Sequence, residues 1–218
     1  MIDLRLGRWQ DVLADVGEVD AVICDPPYSE RTHAGYNDGA EDANSAIERP
    51  DIRDNRERMR LGLCPARAAI DYSAWGPSDV RAFVEHWGPR TRGWIAVLTD
   101  AVLAPSWRAE LERSGRYAFA PVACVEIGSR VRLSGDGPST WAVWLLVARP
   151  RGAPFSTWGT LPGAYVVPPG SGDGKRRTIT GGKPLWLMRS LVRDYSRPDD
   201  LVCDPCVGAA TTLLAARL

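Results

Sequence analysis

A short apolar run near the amino terminus leads directly into two prolines: residues 21–28 are AVICDPPY. Four apolar residues bounded by Asp-Pro-Pro are typical of a buried strand. The prolines exclude a helix for the last four residues and stiffen their backbone. Because open α/β sheets bind ligands at the carboxyl ends of their strands, this tetrapeptide is a candidate catalytic motif, with an ordinary strand-ending turn as the alternative. Its members are Asp25, Pro26, Pro27 and Tyr28.

Outside this motif the sequence alternates between strand-length apolar runs and segments with helical periodicity. Strands are predicted for residues 2–6, 21–24, 94–98, 117–127, 140–148 and 201–203, and helices for residues 9–16, 78–87, 105–114, 185–195 and 209–218. This alternation predicts one α/β domain over residues 1–218, with a mostly parallel sheet and helices on both faces.

Two segments lack such periodicity. Residues 29–65 mix Gly, Asn, Asp, Arg and Glu, which predicts a mobile loop insertion. Residues 149–180 are rich in Pro and Gly and locally basic, which predicts a short irregular segment that could recognise a target.

Composition excludes several classes of protein. The chain has 27 basic and 27 acidic residues, so no global positive field would hold it on a polyanion, and any nucleic-acid contact must be a local patch. Five cysteines without a small-domain framework indicate reduced thiols. Cys203 and Cys206 have C-x-x-C spacing, but no second Cys or Cys/His pair of suitable spacing accompanies them, which argues against a metal site. The start lacks a signal peptide, and the longest apolar run is too short to cross a bilayer. We expect a cytoplasmic protein, bacterial or phage-encoded, with no metal and no membrane.

A second candidate motif lies near the other end, where residues 199–212 are DDLVCDPCVGAATT. The pattern predicts a strand, a tight turn and a helix. Small residues and Gly in such a turn let the backbone approach a ligand closely, although a plain strand-to-helix turn is equally compatible. Lys183-Pro184 precedes an apolar helix and is uninformative alone.

Together, these pieces resemble the DNA amino-methyltransferases, in the permuted order that places DPPY before the cofactor motif. Residues 182–184 (GKP), 185–192 (LWLMRSLV) and 197–205 (RPDDLVCDP) are similar to the family's block of Lys-Pro, helix, strand, Asp-Pro-Phe and glycine turn. The resemblance covers nearly the whole chain. It implies a Rossmann-like fold that depends on S-adenosyl-L-methionine.

The resemblance also implies roles for individual residues. Asp25 and the Pro26 carbonyl would accept hydrogen bonds from the exocyclic amino group of a base flipped out of double-stranded DNA, with Tyr28 stacked on that base. Asp rather than Ser at position 25 favours adenine N6 over cytosine N4. Family members often pair, so a homodimer is possible. The residues expected around S-adenosyl-L-methionine are Gly7, Asp25, Lys183, Asp204, Pro205, Cys206, Gly208, Thr211 and Thr212, and those expected on DNA are Arg31, His33, Tyr36, Lys175, Arg176 and Arg177.

The sequence departs from the family pattern at several positions. Cys206 replaces the usual Phe, Ala210 replaces the second Gly, and Arg8 follows Gly7 in place of Asp. No further strand with a ribose-binding acid follows the cofactor motif before Leu218. These departures favour a catalytically impaired DNA-binding or regulatory module, whereas the intact DPPY argues against it. Relatives that methylate RNA or a protein amide usually have the opposite motif order.

Overall fold

A seven-stranded sheet forms the centre of the part of the chain that the structure describes. The structure is a computed structural model, and it describes residues 2–34, 72–127, 140–152, 158–167 and 182–217. The strands are β1 (Ala21–Cys24), β2 (Ile95–Thr99), β3 (Arg116–Ala118), β4 (Val122–Glu126), β5 (Ala142–Pro150), β6 (Ala164–Val167) and β7 (Val202–Cys203).

The strand order is β6-β4-β5-β2-β1-β7, with β3 also paired to β5. β1 lies between β7 and β2 and is parallel to both. β5 is antiparallel to β2, β3 and β4, while β6 is parallel to β4. Six of these seven strands therefore run in one direction, which confirms the predicted mostly parallel sheet.

Helices cover both faces of this sheet. The helices with described bounds are α1 (Trp9–Val12), α2 (Pro77–Arg90), α3 (Ala104–Arg113), α4 (Leu185–Tyr195) and α5 (Thr211–Arg217). One buried cluster joins α1, α2 and α3 to the sheet, and a second joins α4 and α5 to it. Val22 and Cys24 of β1 belong to the first cluster and Ala21 and Ile23 to the second. A strand buried on both faces needs the uninterrupted apolar run that the sequence shows.

The predicted strand over residues 2–6 is wrong, because those residues form no strand. Ile2, Leu4 and Leu6 are strongly exposed, so their alternation does not mark a buried face. The Arg5 guanidinium instead binds the Asp15 carboxylate and the Val12 carbonyl, which holds this segment beside α1.

Three further segments differ from the sequence prediction. The strand predicted over residues 117–127 is divided into β3 and β4, since Pro121 between them has no N–H to donate to a ladder. The segment predicted to be irregular over residues 149–180 contains β6 and the end of β5. Residues 30–34, at the start of the predicted loop, are helical.

None of the helices in the described ranges has the length and hydropathy that crossing a bilayer requires.

Candidate active site

Three neighbouring parallel strands end at the same edge of the sheet, and an aspartate follows each of them. Asp204 follows β7, Asp25 follows β1 and Asp100 follows β2. β1 pairs with both other strands in parallel register, which places the three carboxylates along one edge. This edge is where open α/β sheets bind ligands.

Asp25 of the DPPY motif contacts two side chains of the candidate site. The Tyr28 hydroxyl donates a hydrogen bond to Asp25 Oδ1 at 2.9 Å. The Lys183 ammonium donates to Asp25 Oδ2 at 2.6 Å, and its Nζ also lies 4.8 Å from the centroid of the Tyr28 ring. The side chains of Lys183 and Asp25 are 16% and 24% exposed, so the pair is shielded yet reachable from solvent. One carboxylate thus binds the hydroxyl of an aromatic residue three positions away and a cation from a distant part of the sequence.

Asp100 fixes the chain immediately after the DPPY motif. The Ser29 amide and the Ser29 and Thr32 hydroxyls donate to its Oδ2. Its Oδ1 accepts the Val102 and Leu103 amides, at the start of α3. Burial alone would raise the pKa of Asp100, but the hydrogen bonds outweigh it and lower the pKa below its ordinary value. An ionised carboxylate at this point holds residue 29, and therefore Tyr28 beside it, in a defined position.

Asp100 is not among the residues predicted from the sequence, although the sequence contains a signal for it. Residues 95–100 are IAVLTD, an apolar strand closed by an aspartate, as in residues 21–25 (AVICD) and 201–204 (LVCD). The same pattern at three adjacent strands marks one edge of the sheet.

Asp204 lies in a more apolar setting than Asp25. Its Oδ1 accepts the Cys206 amide at 2.9 Å. Burial raises the pKa of Asp204 to about 7, and the nearby Asp25 carboxylate adds to the rise, while a hydrogen bond with Thr212 opposes it. A carboxyl in this state gains from any cation that enters the site beside it.

The turn after β7 has an unusual backbone. Gly208 has φ of 44°, and Ala210 has φ of 56°, in the left-handed region that favours glycine. The Ala210 amide donates to the Val207 carbonyl at 2.7 Å, which closes the turn before α5. The sequence therefore has an alanine at a position where the backbone conformation favours glycine.

A large open cleft of about 2930 Å³ runs along this edge of the sheet. Ligand pockets of about 300–1,000 Å³ are usual, so this cleft has room for a cofactor and a nucleobase together. Gly7 has φ of 149°, and a side chain there would overlap Val12. The cleft brings together all nine residues predicted to surround the cofactor: Gly7, Asp25, Lys183, Asp204, Pro205, Cys206, Gly208, Thr211 and Thr212.

The residues predicted to contact DNA are only partly described. Arg31 is exposed on the helical segment 30–34. His33 is buried, packs edge-on against the Tyr72 ring at 5.3 Å, and has a pKa lowered by burial. Tyr36, Lys175, Arg176 and Arg177 lie outside the described residues.

Within the described ranges no group of three or more His, Cys, Asp or Glu side chains is arranged to hold a metal.

Similar structures exist despite low sequence identity. The M1.HpyAVI complex with SAM aligns with a TM-score of 0.57 and 15% identity, covering 96% of this chain and 82% of its own. TTHA0409, a putative DNA modification methylase from Thermus thermophilus, aligns with a TM-score of 0.52 and 19% identity, covering 97% and 82%. The chain has a methyltransferase fold. The predicted fold class is thereby confirmed.

TTHA0409 has also been solved in complex with S-adenosyl-L-methionine, and that structure aligns with a TM-score of 0.50 and 17% identity, covering 97% of this chain and 81% of its own. No protein-family model matches the sequence, and no curated protein matches it.

Proposed function

We propose that this chain transfers a methyl group from S-adenosyl-L-methionine to an exocyclic amino group of a base flipped out of double-stranded DNA, with adenine N6 as the target. The observation that carries the proposal is the arrangement around Asp25. Its carboxylate lies at the carboxyl end of β1, beside the Tyr28 ring and on the edge of the sheet that also carries Asp204. The proposal rests on this geometry and on the resemblance of the three sequence motifs.

The chemistry requires acceptors rather than a strong base. The lone pair of an exocyclic amino group is delocalised into the ring, so the nitrogen is a poor nucleophile. In the proposed reaction Asp25 and the Pro26 carbonyl accept its two N–H groups and favour a pyramidal nitrogen. In the proposed reaction the flipped base stacks on the Tyr28 ring, which is buried in the free protein with the Lys183 ammonium over it. Orientation and fixed acceptors then lower the barrier.

The residues of the cleft fit a cationic cofactor. S-adenosyl-L-methionine carries a positively charged sulfonium, and two carboxylates, Asp25 and Asp204, face the same cleft. Burial raises the pKa of Asp204 to about 7, so a cation bound beside this carboxyl would favour its ionised form. When bound, the cofactor supplies an activated methyl group. We place it beside Asp204 and the 206–212 turn, in the cleft that Gly7 also lines.

The experiment is to incubate the chain with isotope-labelled S-adenosyl-L-methionine and unmethylated genomic DNA, and to analyse the nucleosides by mass spectrometry. Labelled N6-methyladenine supports the proposal, and N4-methylcytosine would correct the target base. The Asp25→Ala variant is the control for contaminating activity. Cofactor and DNA binding without any methylated nucleoside would overturn the proposal in favour of a binding or regulatory module.

A further inference from the structure

Lysine is rare in this chain, and one of its lysines is in the candidate site. Of the 27 basic residues only Lys175 and Lys183 are lysine, and the other 25 are arginine. Composition therefore does not explain a lysine at position 183. The Lys183 side chain is only 16% exposed, and its ammonium contacts both Asp25 and the face of Tyr28.

The position of this ammonium matches the position required of a target amino group. An exocyclic amino group on a flipped base would donate an N–H to Asp25 and lie over Tyr28. The Lys183 nitrogen does both: it donates to Asp25 Oδ2 at 2.6 Å and lies 4.8 Å from the Tyr28 centroid. The remaining carboxylate oxygen already accepts the Tyr28 hydroxyl at 2.9 Å. A base cannot enter this geometry while Lys183 occupies it.

We infer that the Lys183 ammonium holds the place of the target amino group in the free protein and must withdraw before a base can bind Asp25. This inference rests on the proposed function, because the base that displaces the Lys183 ammonium is the substrate of that reaction. Lysine suits the role, since its ammonium is a compact nitrogen with rotatable donors, whereas the planar guanidinium of arginine does not imitate an amino nitrogen.

The consequence is selectivity for a base that belongs to bound DNA over a free nucleoside. A free nucleoside must displace a charge-assisted hydrogen bond with only its own contacts, whereas a base in a bound duplex also has the phosphate contacts of its neighbours. Lys183 is therefore a specificity-determining residue, because it increases the binding free energy that a base needs in order to occupy the site.

The first test asks whether the pair exists in solution. With ¹⁵N-lysine labelling only two side-chain Nζ signals arise, and the Lys175→Arg variant leaves Lys183 alone. We expect a protected, slowly exchanging ammonium signal that Asp25→Asn shifts and exposes to solvent. A Lys183 signal that exchanges as fast as that of Lys175 and ignores the Asp25 substitution overturns the inference.

The second test measures displacement directly, and it needs no recognition sequence. Adenosine binding is measured by calorimetry with saturating S-adenosylhomocysteine, which fills the cofactor site. Lys183→Met keeps the length of the side chain and removes its charge, so we expect adenosine to bind on the order of tenfold more tightly, as expected for one hydrogen bond to a charged acceptor. The Asp25→Ala/Lys183→Met double variant should lose this gain, and N6,N6-dimethyladenosine, which has no amino N–H, should show none.

These outcomes separate the inference from the proposed function. Equal adenosine affinity in the wild type and Lys183→Met overturns the placeholder role even if DNA is methylated. A gain that depends on Asp25, found in a chain that methylates nothing, supports the placeholder role and overturns the proposed reaction. In an active enzyme, Lys183→Met should lower the KM for DNA several-fold, whereas replacing a merely structural lysine would not lower this KM.

Discussion

At the scale of single residues, Asp25 is the group whose chemistry is most open to test. Its proposed role is to accept hydrogen bonds, because an amino group is not acidic enough for a carboxylate to deprotonate it first. Asp25→Asn keeps one acceptor oxygen and should retain measurable methyl transfer, whereas Asp25→Ala should lose on the order of a hundredfold or more. Single-turnover rates at saturating DNA and cofactor measure this difference.

Both variants must fold and bind cofactor for that comparison to hold, which calorimetry can establish. Equal and complete loss of methyl transfer in the two variants would contradict simple acceptance and assign a charge or general-base role to Asp25.

Asp204 predicts a pH dependence of stability. Its pKa is raised from 3.8 to about 7 in the folded protein, so folding favours the protonated carboxyl. Its contribution is most favourable below about pH 4 and is lost as the pH rises through 7. The penalty at pH 8 is at most about 4 kcal/mol, from about 1.4 kcal/mol per pKa unit.

Asp204→Asn cannot ionise, so without cofactor it should unfold at a higher temperature than the wild type at pH 8, and the difference should shrink towards pH 4. Thermal unfolding across this pH range measures the effect. Glu18→Gln removes an exposed carboxyl and is the matched control. Parallel profiles for the wild type and Asp204→Asn would contradict the assignment.

At the scale of elements, the turn between β7 and α5 predicts a gain from glycine. The left-handed φ of Ala210 costs an L-residue roughly 1–2 kcal/mol, while glycine costs about 0.5–1 kcal/mol in backbone entropy. Ala210→Gly should therefore leave stability unchanged or raise it by up to about 1.5 kcal/mol. Denaturant unfolding checks this.

The neighbouring Ala209 supplies the control, because its φ is not in the positive range. Ala209→Gly should cost stability, since it adds the entropy of glycine without relieving strain. If both substitutions destabilise equally, the strained turn described for Ala210 is wrong.

Elements with strong periodicity were predictable from the sequence. The predicted helix 185–195 has the same limits as α4, and the predicted strand 21–24 is β1. Prediction failed where the pattern was ambiguous. Residues 2–6 alternate like a strand, but ion pairs and exposure, which the pattern does not encode, decide their conformation. β6 was missed because its pairing with β4 depends on a distant strand.

The candidate site was predictable as motifs but not as contacts. The DPPY and cofactor motifs indicated which parts of the chain meet, because both follow predicted strands. The sequence could not show that Asp100 accepts hydrogen bonds from Ser29, or that Lys183 pairs with Asp25. Both contacts depend on side-chain geometry between segments that are distant in the sequence. The sequence did indicate the strand that precedes Asp100 and the Lys-Pro motif that contains Lys183, but not the contacts that these side chains make.

At the scale of the whole molecule, the balanced charge predicts how DNA binding should behave. A chain of zero net charge must rely on local basic clusters, so its affinity should fall steeply with salt through phosphate contacts. Neutralising Lys175, Arg176 and Arg177 together should reduce the slope of log affinity against log salt by about 3 at most. Fluorescence anisotropy with a labelled duplex measures this slope, and an unchanged slope would exclude this cluster from the DNA contacts.

The pairing of β1 with β7 has a consequence for the chain while it is being made. Lys183 lies 158 positions after Asp25, and β7 follows later still. At about 5–20 residues per second, the ribosome therefore holds a nascent chain without these partners for roughly 10 to 30 s. During that interval Asp25 lacks the Lys183 ammonium, and β1 lacks β7 as its neighbour. The backbone N–H and C=O groups on that side of β1 are then unpaired and can pair with a strand of another chain. The proposed methyl transfer is not possible on such a chain, so newly synthesised protein cannot modify DNA until residues 182–204 have emerged and docked.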